Sequence, residues 1–458
     1  MHVSTSFSEK NAALFTDLYQ LTMLQSYFQE GMRDTAVFDL FAREQDGRNY
    51  LLACGLEDVL TFLEDLHFSD EALDYLGTLD EFEDDFLAYL SSLRFTGDVR
   101  AVSEGTPVFA DEPILEVEAP LPEAQLAETY LLNQITFQTA AATKAHRLVR
   151  AADGRAVVDF GARRAHGTDA ALKAARAGYV AGLTATSNVL AGRRYDLPVT
   201  GTMAHSYIEA HDDETSAFRN FTDVYPATTL LVDTYDTLSG VRKVVRLAEE
   251  RGDDFQVQAV RLDSGSLGEL ALRARWILDD AGLEDVDIFA SGSLDERKIQ
   301  DLVSSGAPID GFGVGTRLTT VADQPAQDTA YKLCGYGGTG RMKLSSGKSN
   351  LPGRKQVYRF FDDGAATRDV ITTDEETLEG GQPLLRTVMR DGERTEAGRV
   401  ALSGVREDCR RNVAHLPERL LSLEEAEPPY SVALSDGLEA EIERIQERLE
   451  REVVTSSE

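Results

Sequence analysis

Ala156-Val157-Val158-Asp159-Phe160-Gly161-Ala162-Arg163-Arg164-Ala165-His166-Gly167 is a short apolar run that breaks into a polar turn. The run reads as a buried parallel strand, Gly161 permits a tight turn, and residues 170–177 are rich in strong helix formers. An aromatic ring and two guanidinium groups therefore stand on a strand-to-helix loop, where a flat heterocycle could be held beside phosphates. Alone, such a loop decides little, because arginines on loops are mostly solvated and a Phe after a strand mostly packs inward. The weight comes from repetition downstream.

From Arg155 onward, short apolar strands alternate with helices, and each strand ends in polar or glycine-rich residues. The expected strands are 157–160, 182–184, 199–203, 229–232, 255–262, 287–290 and 311–314. About seven such units imply a parallel sheet wound into a compact, closed or incomplete (β/α) barrel, with a doubly wound open sheet as the competing α/β arrangement. Barrel sites gather at the carboxyl ends of the strands. The candidate site is then Phe160 with Arg163 and Arg164, Ser187 with Asn188, His205 with Ser206, Asp233 with Asp236, Arg261 with Asp263 and Ser264, Ser291-Gly292-Ser293, and Gly313, Gly315 and Thr316.

The residues before the barrel mix helices and strands. Leu14, Leu18, Leu21, Leu24 and Phe28 mark one helical face, with Thr16 as the expected cap. Strands are expected at 36–41 and 50–54, helices at 56–66 and 71–93, a β-rich section at 99–117, and a long helix from 126 to 150. We read residues 1–152 as an α/β capping domain, 153–325 as the barrel, and 326–458 as strands returning to the first domain followed by a helical, acidic end. In that end Leu438, Ile442, Ile445 and Leu449 keep helical spacing, which predicts one narrow buried face.

Composition limits the function. With 458 residues, 42% of them hydrophobic, the chain can bury large cores. No stretch approaches the roughly 20 apolar residues of a membrane span, and the polar start lacks a secretory signal, so a cytoplasmic protein is expected. Cys54, Cys334 and Cys409 are scattered, which speaks against a disulfide framework or a structural zinc site. The net charge of −33 argues against nucleic-acid and anionic-membrane partners. Carboxylates sit on patterned elements such as residues 80–86, so the charge is a solvated face rather than disorder. Lysine is scarce beside arginine, and adaptation to high cytoplasmic salt is the simplest explanation. Anionic substrates would then be gathered by local arginines against a repelling field.

Each candidate has a role open to it. The turns after the last two strands, at Ser291-Gly292-Ser293 and at Gly313, Gly315 and Thr316, occupy the usual phosphate position of barrels. Asp233, Asp236 and Asp263 offer hard oxygens to ribose hydroxyls or Mg²⁺, or they cap helices. His205 is either a hydrogen-bonded structural residue or a nucleophile or proton carrier.

The chain resembles the nicotinate phosphoribosyltransferase family over nearly its whole length. The resemblance rests on Thr16-Asp17-Leu18-Tyr19-Gln20-Leu21-Thr22-Met23, on Asp159 to Gly167, on Ala185-Thr186-Ser187-Asn188-Val189 and on Gly201-Thr202-Met203-Ala204-His205-Ser206. It continues through Asp233-Thr234-Tyr235-Asp236, Arg261-Leu262-Asp263-Ser264-Gly265 and the basic stretch from Lys348 to Arg359. It implies a type II phosphoribosyltransferase: an irregular (β/α) barrel joined to an N-terminal α/β sandwich, forming a homodimer or a higher assembly whose sites are shared between subunits. The implied reaction joins nicotinate to 5-phosphoribosyl 1-pyrophosphate (PRPP) with Mg²⁺, and ATP serves as co-substrate.

Carried over residue by residue, the resemblance implies that Asp233 and Asp263 hold ribose and Mg²⁺ positions and that Arg163 and Arg261 face phosphates and the nicotinate carboxylate. Phe160 would stack on the pyridine ring, with Tyr19 supplied by a second subunit as its opposite face and Asp17 as a further substrate-binding residue. His205 matches the family's phosphorylatable histidine. Nicotinamide-using relatives carry an aspartate where this chain has Ser187, and serine favours the acid. Two departures are visible: Ala162 replaces a frequent threonine, and Cys334 stands alone where some relatives carry a cysteine-rich metal knuckle. A nicotinamide enzyme and a non-catalytic phosphosugar-binding regulator of the same fold are the alternatives. The 348–359 stretch is expected to be a hairpin returning to the first domain, with exposed lysines and an edge role at the site.

Overall fold

The computed structural model describes residues 9–344 and 350–455. The chain divides into two compact units, one of residues 1–140 and 326–458 and the other of residues 141–325. Among the described residues, no helix is long and apolar enough to cross a membrane.

The 141–325 unit is built on a six-stranded parallel sheet. Its order is Ala185–Thr186, Ala156–Asp159, Gly311–Val314, Asp287–Ala290, Ala259–Leu262 and Thr229–Leu231. The first and last strands of the series are neighbours, with Gly311 opposite Ala156 and Val314 opposite Asp159. That pairing is how a barrel closes on itself, and it excludes the doubly wound order. The ring stays open beside Thr229–Leu231, so the fold is a curled, incomplete barrel. Helices cover it in the expected way. Thr237–Arg251 starts at Asp236, whose carboxylate accepts the Ser239 N–H at 2.8 Å, and it buries Leu238, Val241, Val244 and Leu247 on one face.

Six strands rather than about seven form, for local reasons. The expected strand at 199–203 is reduced to a single bridge between Thr186 and Val199. Pro198 has no N–H to give a ladder, and Thr202 turns its hydroxyl onto Arg261 at 2.6 Å. The strand expected at 182–184 begins instead at Ala185. Gly182 takes φ +113° and the Leu183 N–H bonds to the Gly178 carbonyl at 2.9 Å, so this stretch closes the preceding helix.

The other unit carries a seven-stranded sheet, in the order Thr339–Gly340, Thr329–Tyr336, Thr35–Ala42, Pro113–Pro120, Asp98–Ala101, Arg386–Arg390 and Glu393–Arg394. Phe38 stacks on Tyr331 at 4.8 Å and Phe62 on Tyr130 at 4.0 Å within its core. The first long helix, Leu18–Glu30, is capped by Asp17 and not Thr16; the Asp17 N–H donates to Gln20 Oε1 at 3.2 Å.

A hairpin follows the barrel, Lys355–Asp362 paired antiparallel to Ala365–Thr373, but of the expected 348–359 stretch only residues 355–359 belong to it, in its first strand. The expectation of exposed lysines is wrong for Lys355. It is 0% exposed and its ammonium lies 2.9 Å from Asp39. Arg359 is buried against Asp369 with a 2.6 Å contact. A charge so placed requires a partner, since leaving it alone would cost several kcal/mol. Lys348 and Ser349 lie outside the described residues. Near the end of the chain, helix Asp436–Thr455 buries Leu438 and Ile445 fully, as the narrow apolar face predicts.

Candidate active site

Arg261, one residue before the end of Ala259–Leu262, organises the carboxyl ends of the barrel strands. Its Nε donates to Ser291 Oγ at 2.9 Å, Nη1 to Thr202 Oγ1 at 2.6 Å and to the Met203 carbonyl at 3.3 Å, and Nη2 to Asp263 Oδ1 at 2.9 Å. The guanidinium carbon lies 5.5 Å from the centre of the Phe160 ring. A planar cation held by four partners beside an aromatic face presents a fixed charge to any anion that enters.

The acidic half is built around Asp233 and Asp263. Asp233 Oδ2 accepts the Asp263 backbone N–H at 2.9 Å and the Ser264 hydroxyl at 2.6 Å. Its Oδ1 is buried and has no hydrogen-bond partner among the described residues. Ser291 also donates to Asp263 Oδ1. Burial works to raise the Asp263 pKa, but the Ser291 hydroxyl, Arg261 and the facing His205 bring it below the usual carboxylate value. His205 Nε2 stands 3.9 Å from Asp263 Oδ2, and its Nδ1 is 3.1 Å from Thr234 Oγ1. Asp236 is a helix cap, as described above, so its structural reading holds.

Close backbone approach accounts for the glycines. A Cβ on Gly313 would lie 2.5 Å from the Phe160 ring, and one on Gly292, at φ +98°, would lie 1.9 Å from the Asp263 carbonyl oxygen. Glycine at these two places lets the Phe160 ring approach the last strand closely and lets the 291–293 turn touch the Asp263 loop. Ser291 is buried, whereas Ser293 is exposed and takes φ +50°. Gly315 precedes the short helix Thr316–Thr319 and Thr316 is exposed. Ser187, just past Ala185–Thr186, is half-buried and donates its N–H to the Asp159 carbonyl at 2.8 Å.

The strand-end residues Phe160, Arg261, Asp263, Ser264, Ser291 and Asp233 are thus brought together, with His205 at their edge. Arg163 and Arg164 are exposed on a single 3-10 turn and make none of these contacts. Asp17 and Tyr19 belong to the other unit; both are exposed, and Thr129 Oγ1 donates to Asp17 Oδ2 at 2.7 Å. Three contributors escaped the sequence reading. Thr202 and Thr234 hold Arg261 and His205. Asp159 accepts the Gly161 N–H at 2.7 Å and the Thr186 hydroxyl at 2.8 Å, fixing the loop that carries Phe160. All three lie inside motifs already singled out, which is the signal that could have found them.

The family model described as the nicotinate phosphoribosyltransferase N-terminal domain matches residues 14–136, and that of the nicotinate phosphoribosyltransferase family matches residues 155–336. The chain belongs to the nicotinate phosphoribosyltransferase family. It is 52% identical over 435 residues to nicotinate phosphoribosyltransferase pncB2 of Mycobacterium tuberculosis, covering 95% of this chain and 94% of that protein. It is 44% identical over 364 residues to nicotinate phosphoribosyltransferase of Bacillus subtilis, covering 78% of this chain and 74% of that one. The crystal structure of human nicotinic acid phosphoribosyltransferase superposes with a TM-score of 0.84 at 28% identity, over 94% of this chain and 99% of that one. Family membership thus agrees with a site of interlocked carboxylates, a held arginine and an aromatic face.

Proposed function

We propose that the protein joins nicotinate to PRPP, releasing nicotinate mononucleotide and pyrophosphate in the synthesis of NAD. The observation that carries this reading is the interlock of Asp233, Asp263 and Arg261 beside Phe160. Displacement of pyrophosphate at the ribose C1 passes through a cationic, oxocarbenium-like state. Two carboxylates near the sugar stabilise that charge, and Arg261 favours the anionic groups that arrive and leave. The half-buried Phe160 ring offers a face to the pyridine, while exposed Arg163 and Arg164, the 291–293 turn and the strand-to-helix junction at Gly315 and Thr316 would gather phosphates.

Mg²⁺ fits this donor set. Asp233 Oδ1 has no partner among the described residues, and Asp263 Oδ2 accepts no direct hydrogen bond from His205 at 3.9 Å. Both are hard oxygens of the kind the ion prefers. Bound there, the ion would neutralise charge on the pyrophosphate group. Asp233 would keep the Asp263 loop in place while its free oxygen takes the ion or a ribose hydroxyl.

We further propose that ATP hydrolysis is coupled to synthesis through transient phosphorylation of His205, whose half-exposed ring lies beside these carboxylates. A phosphoryl group on it would alter the phosphosugar site. The working assembly is a homodimer in which Tyr19 of one copy completes the site of the other. Its support is the exposure of Leu18 and Tyr19 at the start of Leu18–Glu30.

The test is product formation in molar KCl with nicotinate, PRPP and Mg²⁺, with and without ATP, and with nicotinamide in parallel. Mononucleotide from nicotinate, increased by ATP, is expected. No product from either pyridine, by folded protein that binds the phosphosugar, would replace this reading with a regulatory one.

A further inference from the structure

Phe160 and Ser187 stand on adjacent strand ends, and each has the peptide groups on both of its sides held. The Phe160 N–H donates to the Val314 carbonyl at 2.8 Å, and the next amide, that of Gly161, donates to Asp159 Oδ1 at 2.7 Å. The Ser187 N–H donates to the Asp159 carbonyl at 2.8 Å, and the next amide, that of Asn188, donates to Thr186 Oγ1 at 3.0 Å. The two side chains used here, Asp159 and Thr186, lie opposite one another on neighbouring parallel strands, and the Thr186 hydroxyl donates to Asp159 Oδ2 at 2.8 Å. Asp159 is 1% and Thr186 2% exposed, so bulk water cannot replace a lost partner.

The direction of that bond is fixed. A carboxylate only accepts, and Thr186 Oγ1 already accepts from Asn188, so its single proton goes to Asp159. Both oxygens of Asp159 are then engaged, one toward each loop, and the β-branched Thr186 has few rotamers with which to let go. We propose that Asp159 and Thr186 are positioning residues that set the spacing between the Phe160 ring and Ser187, and through it the fit of the pyridine and its carboxylate.

This inference rests on the reading that Phe160 and Ser187 meet the pyridine, and it adds what holds the two in register. Asp233, Arg261 and Asp263, assigned above to the phosphosugar, make no hydrogen bond to this pair among the described residues. The effect of breaking the pair should therefore fall on the pyridine substrate.

The experiment is steady-state kinetics with nicotinate, nicotinamide and PRPP varied in turn. Thr186→Val keeps the shape and removes both hydroxyl bonds. It should raise KM for nicotinate about tenfold, the scale of a lost buried hydrogen bond, with KM for PRPP within about twofold of the wild type. The preference for nicotinate over nicotinamide should narrow. Thr186→Ser, which keeps the hydroxyl, should restore both. Asp159→Asn reaches the same bond from the other side, because its one amide oxygen cannot accept from Gly161 and Thr186 together, and it stands in if the valine variant fails to fold. A cycle with Phe160→Ala tests the route: if Thr186 acts through the ring, the double variant should lose less than the two single losses multiplied.

A merely structural pair would lower the melting temperature and leave KM for nicotinate and the acid-to-amide ratio unchanged, which overturns the proposal. Fully multiplicative losses in the cycle, or equal rises in KM for nicotinate and PRPP, overturn it as well. A raised KM for nicotinate in Phe160→Ala with none in Thr186→Val removes the inference alone. An unchanged KM in Phe160→Ala would show that the pyridine does not meet that ring, and the underlying reading would fall together with the inference.

Discussion

Asp233 accepts the backbone N–H of Asp263 at 2.9 Å, so the carboxylate at one strand end fixes the carboxylate after the next. The bond joins loops that follow neighbouring strands, Thr229–Leu231 and Ala259–Leu262. Asp233 therefore has two separable duties: one oxygen holds a loop, and the other, buried, is left without a hydrogen-bond partner among the described residues.

Asp233→Asn separates them. The amide oxygen can still accept from Asp263 and Ser264, but the negative charge is gone. We expect kcat/KM to fall by about 10²- to 10³-fold, the usual cost of removing one charged or hydrogen-bonding group from a transition state, with a melting temperature within about 3 °C of the wild type. Asp233→Ala should lose both activity and several degrees of stability. Equal thermal losses in the two variants would mean that Asp233 is mainly structural.

Ser187→Asp tests substrate choice. Ser187 sits at a strand end with its N–H on the Asp159 carbonyl, so a new carboxylate there would repel the nicotinate carboxylate and could accept from an amide. We expect kcat/KM for nicotinate to drop at least about tenfold and the nicotinamide-to-nicotinate ratio to rise, since a carboxylate facing a carboxylate costs on the order of 1–3 kcal/mol. An unchanged ratio removes Ser187 from the specificity argument.

Strand ends were legible in the sequence because parallel strands are short apolar runs, and the residues that break them are polar or glycine. Phe160, Asp233, Arg261, Asp263 and Ser291 were found that way. Thr202 and Thr234 were not, because a threonine's partner depends on long-range placement: 59 positions separate Thr202 from Arg261. Lys355 was misread for the same reason. Its surroundings in sequence are basic and polar, while the Asp39 that neutralises it comes from a distant strand. The strand expected at 199–203 failed because a strong local β signal gave way to side-chain bonding at the site.

His146 should make the protein acid-sensitive. Burial first, and then Arg150, lower its pKa from 6.5 to about 4. As pH falls below 6.5 the unfolded chain takes up a proton that the folded chain refuses, so stability present above pH 6.5 is lost down to about pH 4. At 1.36 kcal/mol per unit this amounts to about 3 kcal/mol. His146→Phe lacks that loss. Denaturant unfolding at pH 7.5, 6, 5 and 4 should show the variant gaining on the wild type by about that amount, whereas parallel curves would exclude His146 as the source.

Salt dependence follows from the 79 acidic against 46 basic side chains. Many of the carboxylates are on exposed faces, as in the 80–85 stretch where most residues are open to solvent. The screening length falls from about 10 Å at 0.1 M to about 3 Å at 1 M, which removes most repulsion between neighbouring surface carboxylates. We expect the melting temperature to rise by on the order of 5–10 °C between 0.1 and 2 M KCl, equivalent to on the order of 5–10 kcal/mol if all 458 residues unfold together. Low, sub-denaturing guanidinium chloride should stabilise as well, because it screens without being excluded from the surface. A melting temperature that falls as KCl rises would show that the acidic surface is not an adaptation to salt, and the charge would then need another cause.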